Sequence, residues 1–283
     1  MFQPINSGSV NRLLNIIGKN KSGLGRSLEK IASGRRLNRA GEDPASNAIA
    51  TQLRSDIRAL SQATRNVDAG SNFIRSAEGG LSSISDLVAR GRELSLQAAN
   101  GTLGDAERQT VNAEFSQIKR EIDRISASSE FNGQKLLDGS LSPQSASQID
   151  IQAGTGSGPE NQINLNVVES TDTQSLGIGA TDISTTDGAR QALGDLDQAA
   201  AKLNATRGQV GAVANRLVTT SNELGSTIEN LTRSESALAD TDIAKEVSEL
   251  QRGLALTKTS LKTLAVSLQQ NERATGRILN FQI

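Results

Sequence analysis

The chain has 283 residues, enough for one large domain or two ordinary ones, and it contains no Cys, His, Trp or Tyr. These absences exclude disulfides, thiolate and His-dependent nucleophiles and Cys- or His-ligated metals, and they leave few aromatic platforms for bases or ligands. Lys plus Arg number 30 against 31 Asp plus Glu, a net charge of −1 without the basic excess of a nucleic-acid binder.

No apolar run approaches the roughly 20 residues that a membrane-spanning helix needs. Met1–Ser9 has neither the basic start nor the apolar core of a secretory leader.

The first periodic segment carries Val10, Leu13, Ile17, Leu24, Leu28 and Ile31, recurring at three, four or seven residues as in a coiled-coil seam. Arg35, Arg36 and Arg39 follow and are answered at once by Glu42 and Asp43. That arrangement reads as a solvated or intersubunit salt-bridge segment rather than a phosphate or nucleic-acid site.

Asp43 before Pro44 is an N-cap followed by a residue suited to the first helical turn, so a long helix is predicted from there to Asn100-Gly101. At about 1.5 Å per residue it would extend roughly 84 Å. Its seam steps three and four through Leu60, Ala63, Val67, Gly70, Ile74, Ala77, Leu81, Ile84, Val88 and Gly91. Large residues fill one row and mostly small ones the other, which admits a close neighbouring helix.

A shorter helix is predicted over Val111, Phe115, Ile118, Ile122 and Ile125, with Asp105 as its cap, then a turn at Asn132-Gly133. Residues 148–153 and 161–168 alternate apolar and polar around a loop that holds Gly154, Gly156 and Gly158, a pattern for a β-hairpin. The glycine run lacks the strand–loop–helix context of a phosphate loop. Residues 169–187 read as irregular, touching the core at Leu176 and Ile178.

From Leu196 a residue of the same row returns every seven positions through Leu203, Val210, Leu217, Leu224, Leu231 and Leu238. Asp240, Asp242 and Glu246 are the only carboxylate grouping that invites a metal or acid–base reading. A cap for the last helix at Asp242, with Glu246 on its polar face, accounts for them more simply. The last helix bears Ile243, Val247, Leu250, Leu254, Leu261, Leu264, Leu268 and Ile278.

Together these elements predict a mainly α chain folded back on itself. It is expected to form a long antiparallel coiled-coil or helical-bundle rod with a small β-hairpin and discontinuous domains built from both chain ends. Residues 1–43 and 240–283 would form a terminal coiled coil, and 44–239 a helical bundle with the β element near 140–188. A lone pair of terminal helices buries too little apolar surface to offset the entropy of ordering it. The ends are therefore expected to be disordered in the monomer and helical when packed against copies of the same chain.

Five motifs in order carry a resemblance to bacterial flagellin: SLEKIASGRRLNRAGEDPASNAIA (27–50), ARGRELSLQAANGT (89–102), EFNGQKLLDG (130–139), ARQALGDLDQAAAKLNATRGQVGAVANRL (189–217) and SALADTDIAKEVSEL (236–250). Only about 50 residues stand where that family often carries a large insert, and the ending, 269–283, departs from the usual pattern. The resemblance implies a non-enzymatic, cofactor-free subunit of the extracellular flagellar filament. It implies export without a cleaved signal peptide through a type III channel, a chaperone on the C-terminal segment, and junction and cap proteins as partners. It also implies a Toll-like innate-receptor patch at Arg90, Leu94 and Glu114, on the outward side of two helices. A hook–filament junction protein of the same organelle and an unrelated helical-bundle interaction module are the alternatives.

Overall fold

The computed structural model describes residues 7–279; Ile278, as a side chain, and the last residues of the atypical ending lie outside the described part. Six helices are present: α1 (Ser7–Ser33), α2 (Pro44–Ala98), α3 (Asp105–Ser128), the single-turn α4 (Thr173–Leu176), α5 (Thr186–Ala239) and α6 (Ile243–Leu279). Four short strands form two antiparallel hairpins, β1 (Glu130–Phe131) with β2 (Gln134–Lys135), and β3 (Asp150–Gln152) with β4 (Gln162–Asn164). The chain divides into two compact units, residues 1–55 with 230–283, and residues 56–229.

In the 56–229 unit all ten predicted seam positions of α2 are buried, from Leu60 to Gly91. They face the row Ala189, Ala192, Leu196, Ala199, Leu203, Thr206, Val210, Leu217 and Leu224 of α5. The two helices run antiparallel. Glu78 meets Arg207 at 2.6 Å and Arg92 meets Asp197 at 2.8 Å, two ion pairs of opposite polarity. Both are substantially exposed, so each contributes no more than about 1 kcal/mol, yet together they disfavour a shifted register.

The small row of α2 has a specific use. A Cβ at Gly91 would meet Phe115 of α3 and Leu196 of α5, at 3.2 and 3.5 Å. One at Gly70 would meet Ile151 of β3 at 3.0 Å and, just outside that row, one at Gly80 would meet Leu137 at 2.6 Å. The close neighbours are thus a helix, a hairpin and a loop, and not another helix throughout.

α3 starts differently from the sequence expectation. Gly104 is the N-cap and Asp105 is already the first helical residue; no side chain caps this end. Asp105 and Glu107 lie in the first turn, where the helix dipole favours carboxylates. Arg108 extends the apolar row of α3 and is buried. Its guanidinium donates to the carbonyls of Ala98, Asn100 and Leu103, closing the C-terminus of α2.

The Asn132-Gly133 turn has φ of 51° and 80° and closes a first hairpin, so the β element is two hairpins where one was expected. In the second hairpin the predicted alternation holds through Ile163 and Leu165. It then breaks, because buried Asn166 takes the next position and Val168, not Val167, is buried. Asn166 accepts from the Ile149 amide at 2.7 Å and donates to the Ser142 and Ser147 carbonyls, tying the loop to the hairpin. Leu176 and Ile178 are buried as expected, joined by Ile183. Lys119 of α3 holds this irregular stretch by donating to the carbonyls of Gly179 and Thr181 at 3.1 and 2.7 Å.

Asp182 accepts from the Ser184 amide at 2.8 Å and from Asn112 at 3.0 Å. Ser184, first through its hydroxyl and then its amide, holds the Asp182 carboxyl below the usual range. A carboxyl with a depressed folded-state pKa contributes stability above its unfolded pKa and loses it as pH falls through the folded value. Urea unfolding across about pH 5 to 2.5 should therefore show a shallower acid loss in Asp182→Asn than in the parent. Phe115, fully buried at the α2–α3–α5 junction, should cost about 3–5 kcal/mol when replaced by Ala, read as a lowered urea midpoint.

Candidate assembly surfaces

The other unit is built differently. α1 and α6 pair antiparallel, with Lys30 to Glu246 at 3.4 Å and Leu24 against Gly253, where an added Cβ would lie 3.4 Å from the leucine. Glu246 therefore lies against α1 and not on an outward polar face, because the inner row of α6 begins with it. Among the described residues of these two helices no side chain is fully buried.

The inner row of α1 is Val10, Leu13, Ile17, Asn20, Leu24, Ser27 and Ile31, all half-buried. The inner row of α6 is Glu246, Leu250, Gly253, Thr257, Ser260, Leu264 and Ser267, also half-buried. Both step three and four, as two paired helices require. The second is mostly small or polar.

The apolar residues read from the sequence as one seam are thus divided between two faces. Val10, Leu13, Ile17, Leu24, Ile31, Leu250 and Leu264 lie in the inner rows. Val247, Leu254, Leu261 and Leu268 repeat every seven residues in a flanking row of which only Val247 is half-buried. Leu254, Leu261 and Leu268 are 54%, 50% and 46% exposed, as is Ile243 at 46%. On α1, Leu28 and Leu14 are likewise exposed, two heptads apart.

The three arginines also separate. Arg36 donates its guanidinium to the Leu238 carbonyl at 2.6 Å, and Arg39 pairs with Glu29 at 2.8 Å, both within the chain. Arg35 is exposed. Asp240 accepts from the Ser236 hydroxyl at 2.5 Å, and Asp242 caps α6 through the Lys245 amide at 3.0 Å. With Glu246 on Lys30, each of the three carboxylates has a separate structural task. Asp43 caps α2 through the Ser46 amide at 3.1 Å, as read from the sequence. The Ser46 hydroxyl, then its amide, holds that carboxyl below its usual range.

In the 56–229 unit, Arg90 pairs with Glu114 at 2.8 Å and with Glu93 at 2.9 Å, on the surface. Leu94 corrects the expected outward patch: it is 1% exposed. Where α3 joins α5 on the last turns of α2, two adjacent rows are covered, so Leu94 and Ser95 are both buried. Among the described residues no group of three metal-ligating side chains occurs, and no helix is long and apolar enough to cross a membrane.

Long amphipathic helices from both chain ends, with apolar rows left open, define the class: a helical structural subunit with discontinuous ends. Residues 6–142 match the bacterial flagellin N-terminal helical region and 193–274 its C-terminal helical region. The chain belongs to the bacterial flagellin family.

It is 35% identical over 264 residues to the flagellar filament 30.7 kDa core protein of Treponema maltophilum, covering 90% of this chain and 91% of that one. It is 36% identical over 289 residues to the flagellin of Bacillus subtilis (strain 168), covering 91% and 93%. Against the crystal structure of Bacillus cereus flagellin the TM-score is 0.49 at 30% identity, over 56% of this chain and 88% of that one.

A small, polar inner row limits how firmly α6 holds α1. Thr257→Leu, adding apolar bulk at a half-buried inner position, should strengthen the pair by about 1 kcal/mol. The check is a rise in helical circular dichroism of the unassembled chain.

Proposed function

We infer that this chain is a structural subunit of the bacterial flagellar filament, polymerising through its terminal helices outside the cell and doing no chemistry of its own. The observation that carries the reading is the flanking leucine row of α6. Each half-exposed leucine contributes about 1 kcal/mol if a neighbouring copy buries the remainder. Among the described residues α1 and α6 have no fully buried side chain of their own, so ordering them depends on that burial. In the terminal domain, 1–43 with 240–283, the helices α1 and α6 are disordered in the free subunit and helical in the polymer, and 44–239 is the folded remainder.

Arg35, exposed beside the two internally paired arginines, is the best placed of the three to meet an acidic group of a neighbour. Leu28, Ile243, Leu254, Leu261 and Leu268 supply the intersubunit apolar contact. The family reading also brings type III export without a cleaved leader, a chaperone on the C-terminal segment, and junction and cap proteins at the filament ends. An innate receptor would meet the exposed Arg90–Glu114 pair, without Leu94.

Leu254→Asp with Leu261→Asp places charge on the flanking row and disturbs no buried contact. The unassembled double variant should keep the parent's thermal midpoint. Light scattering and electron microscopy of seeded protein should show a critical concentration raised at least tenfold, or no filaments. Filament growth at the parent's concentration would remove this surface from assembly.

A further inference from the structure

Four helix ends meet at one place in the terminal unit, and each is closed. Gly34, at φ +68°, follows the last residue of α1 in the left-handed conformation that ends helices. Asp43 caps the start of α2 and Asp242 the start of α6. The Arg36 guanidinium takes the Leu238 carbonyl in the last turn of α5.

The two linkers are also bonded to each other. The Arg36 amide donates to the Ala239 carbonyl at 2.7 Å and the Thr241 amide to the Gly34 carbonyl at 3.0 Å. These two bonds flank an antiparallel bridge between Arg35 and Asp240. Leu37 and Ala239 at this crossing are buried, as is Ala50 further along α2. Among the described residues of this unit, no other apolar side chain is buried to this degree.

We propose that residues 34–43 and 238–242 form a single clasp, so that the two chain ends leave it as one coupled pair and bend at one joint. Two independent linkers would let α1 and α6 reorient separately. The ladder prevents this, because swinging α1 away must break the bonds of Arg36 and Thr241 and expose Leu37. Arg36 is the positioning residue: one side chain and its own amide reach two successive carbonyls at the end of α5. The clasp regulates the assembly surface inferred above and rests on that reading, since it fixes which faces of α1 and α6 are presented together.

The bonding pattern makes Arg35 and Asp240 a non-hydrogen-bonded antiparallel pair, whose Cα atoms lie about 4.5 Å apart. That is within the disulfide range of roughly 4.4–6.8 Å. The chain has no Cys, so Arg35→Cys with Asp240→Cys introduces the only thiols. Oxidising filaments of the full-length variant should give a cross-link within each subunit. Subunits oxidised beforehand should assemble at a critical concentration no higher than the same protein reduced. Arg36→Ala should raise the critical concentration at least fivefold, with Arg36→Lys falling between it and the parent.

Assembly by the reduced form and not by the oxidised form would overturn the clasp, as would cross-links between subunits. If the reduced variant forms no filament while the parent does, cross-linking rates in the unassembled chain decide. The 35/240 pair should close at least tenfold faster than Arg35→Cys with Ser234→Cys, and equal rates would sink the proposal. Failure of the parent itself to polymerise would count against the filament reading and leave the same rate comparison to judge the clasp.

Discussion

α2 of the 56–229 unit receives more than one neighbour on the same stretch, and it can do so only where it presents no side-chain bulk. At Gly91 a single missing Cβ leaves room for Phe115 from α3 and Leu196 from α5 together. At Gly70 the second hairpin, and at Gly80 the loop that follows the first, come in as closely. The large residues of the alternate row, such as Ile74, Leu81 and Val88, then fill the space between α2 and α5. Remove that division between large and small and the third layer has nowhere to pack. The buried arc of α2 also widens at this end, which is why Leu94 and Ser95 are both covered.

The terminal unit follows the opposite logic. α1 and α6 meet through rows that step correctly but are half-buried, and the α6 row is largely Gly, Ser and Thr. Its leucines stand to one side, exposed. Small inner residues permit close approach without much apolar gain, so the pair is weakly held by itself. The apolar surface that would offset its ordering points toward whatever packs next. In the filament reading proposed above that neighbour is another copy of the same chain, which would give the weakness of the isolated pair and the capacity to polymerise one origin.

The terminal unit also holds the crossing of the two linkers. Its backbone groups are bonded across the two linkers. Arg36, Asp43, Asp242 and Gly34 each close one helix end, and few groups are left for water to compete over. Arg108 does the same for the end of α2. Arg36, whose charge invited an ionic reading, is like Arg108 a partner of backbone carbonyl oxygen, a role the guanidinium fork suits.

Local periodicity was legible without any structure. The ten-residue seam of α2, the heptads of α5, the caps at Asp43 and Asp242, the Asn132-Gly133 turn and the second hairpin are all short-range consequences of residue type and spacing. Motif order at both ends was enough to indicate the family. Three things were beyond that reach. Arg108 and Asn166 are buried polar residues, and only the positions of distant carbonyls and amides explain them. The two faces of α6 share a 4-3 rhythm, so spacing alone cannot say which row meets α1. Leu94 looks like a surface position until α3 is placed beside α2. The sequence by itself determined the long helices, most of their ends and the family, since those depend on neighbours within a turn or two. The tertiary structure decided which apolar row is inside and which is free, because that depends on what arrives from residues far away in the chain.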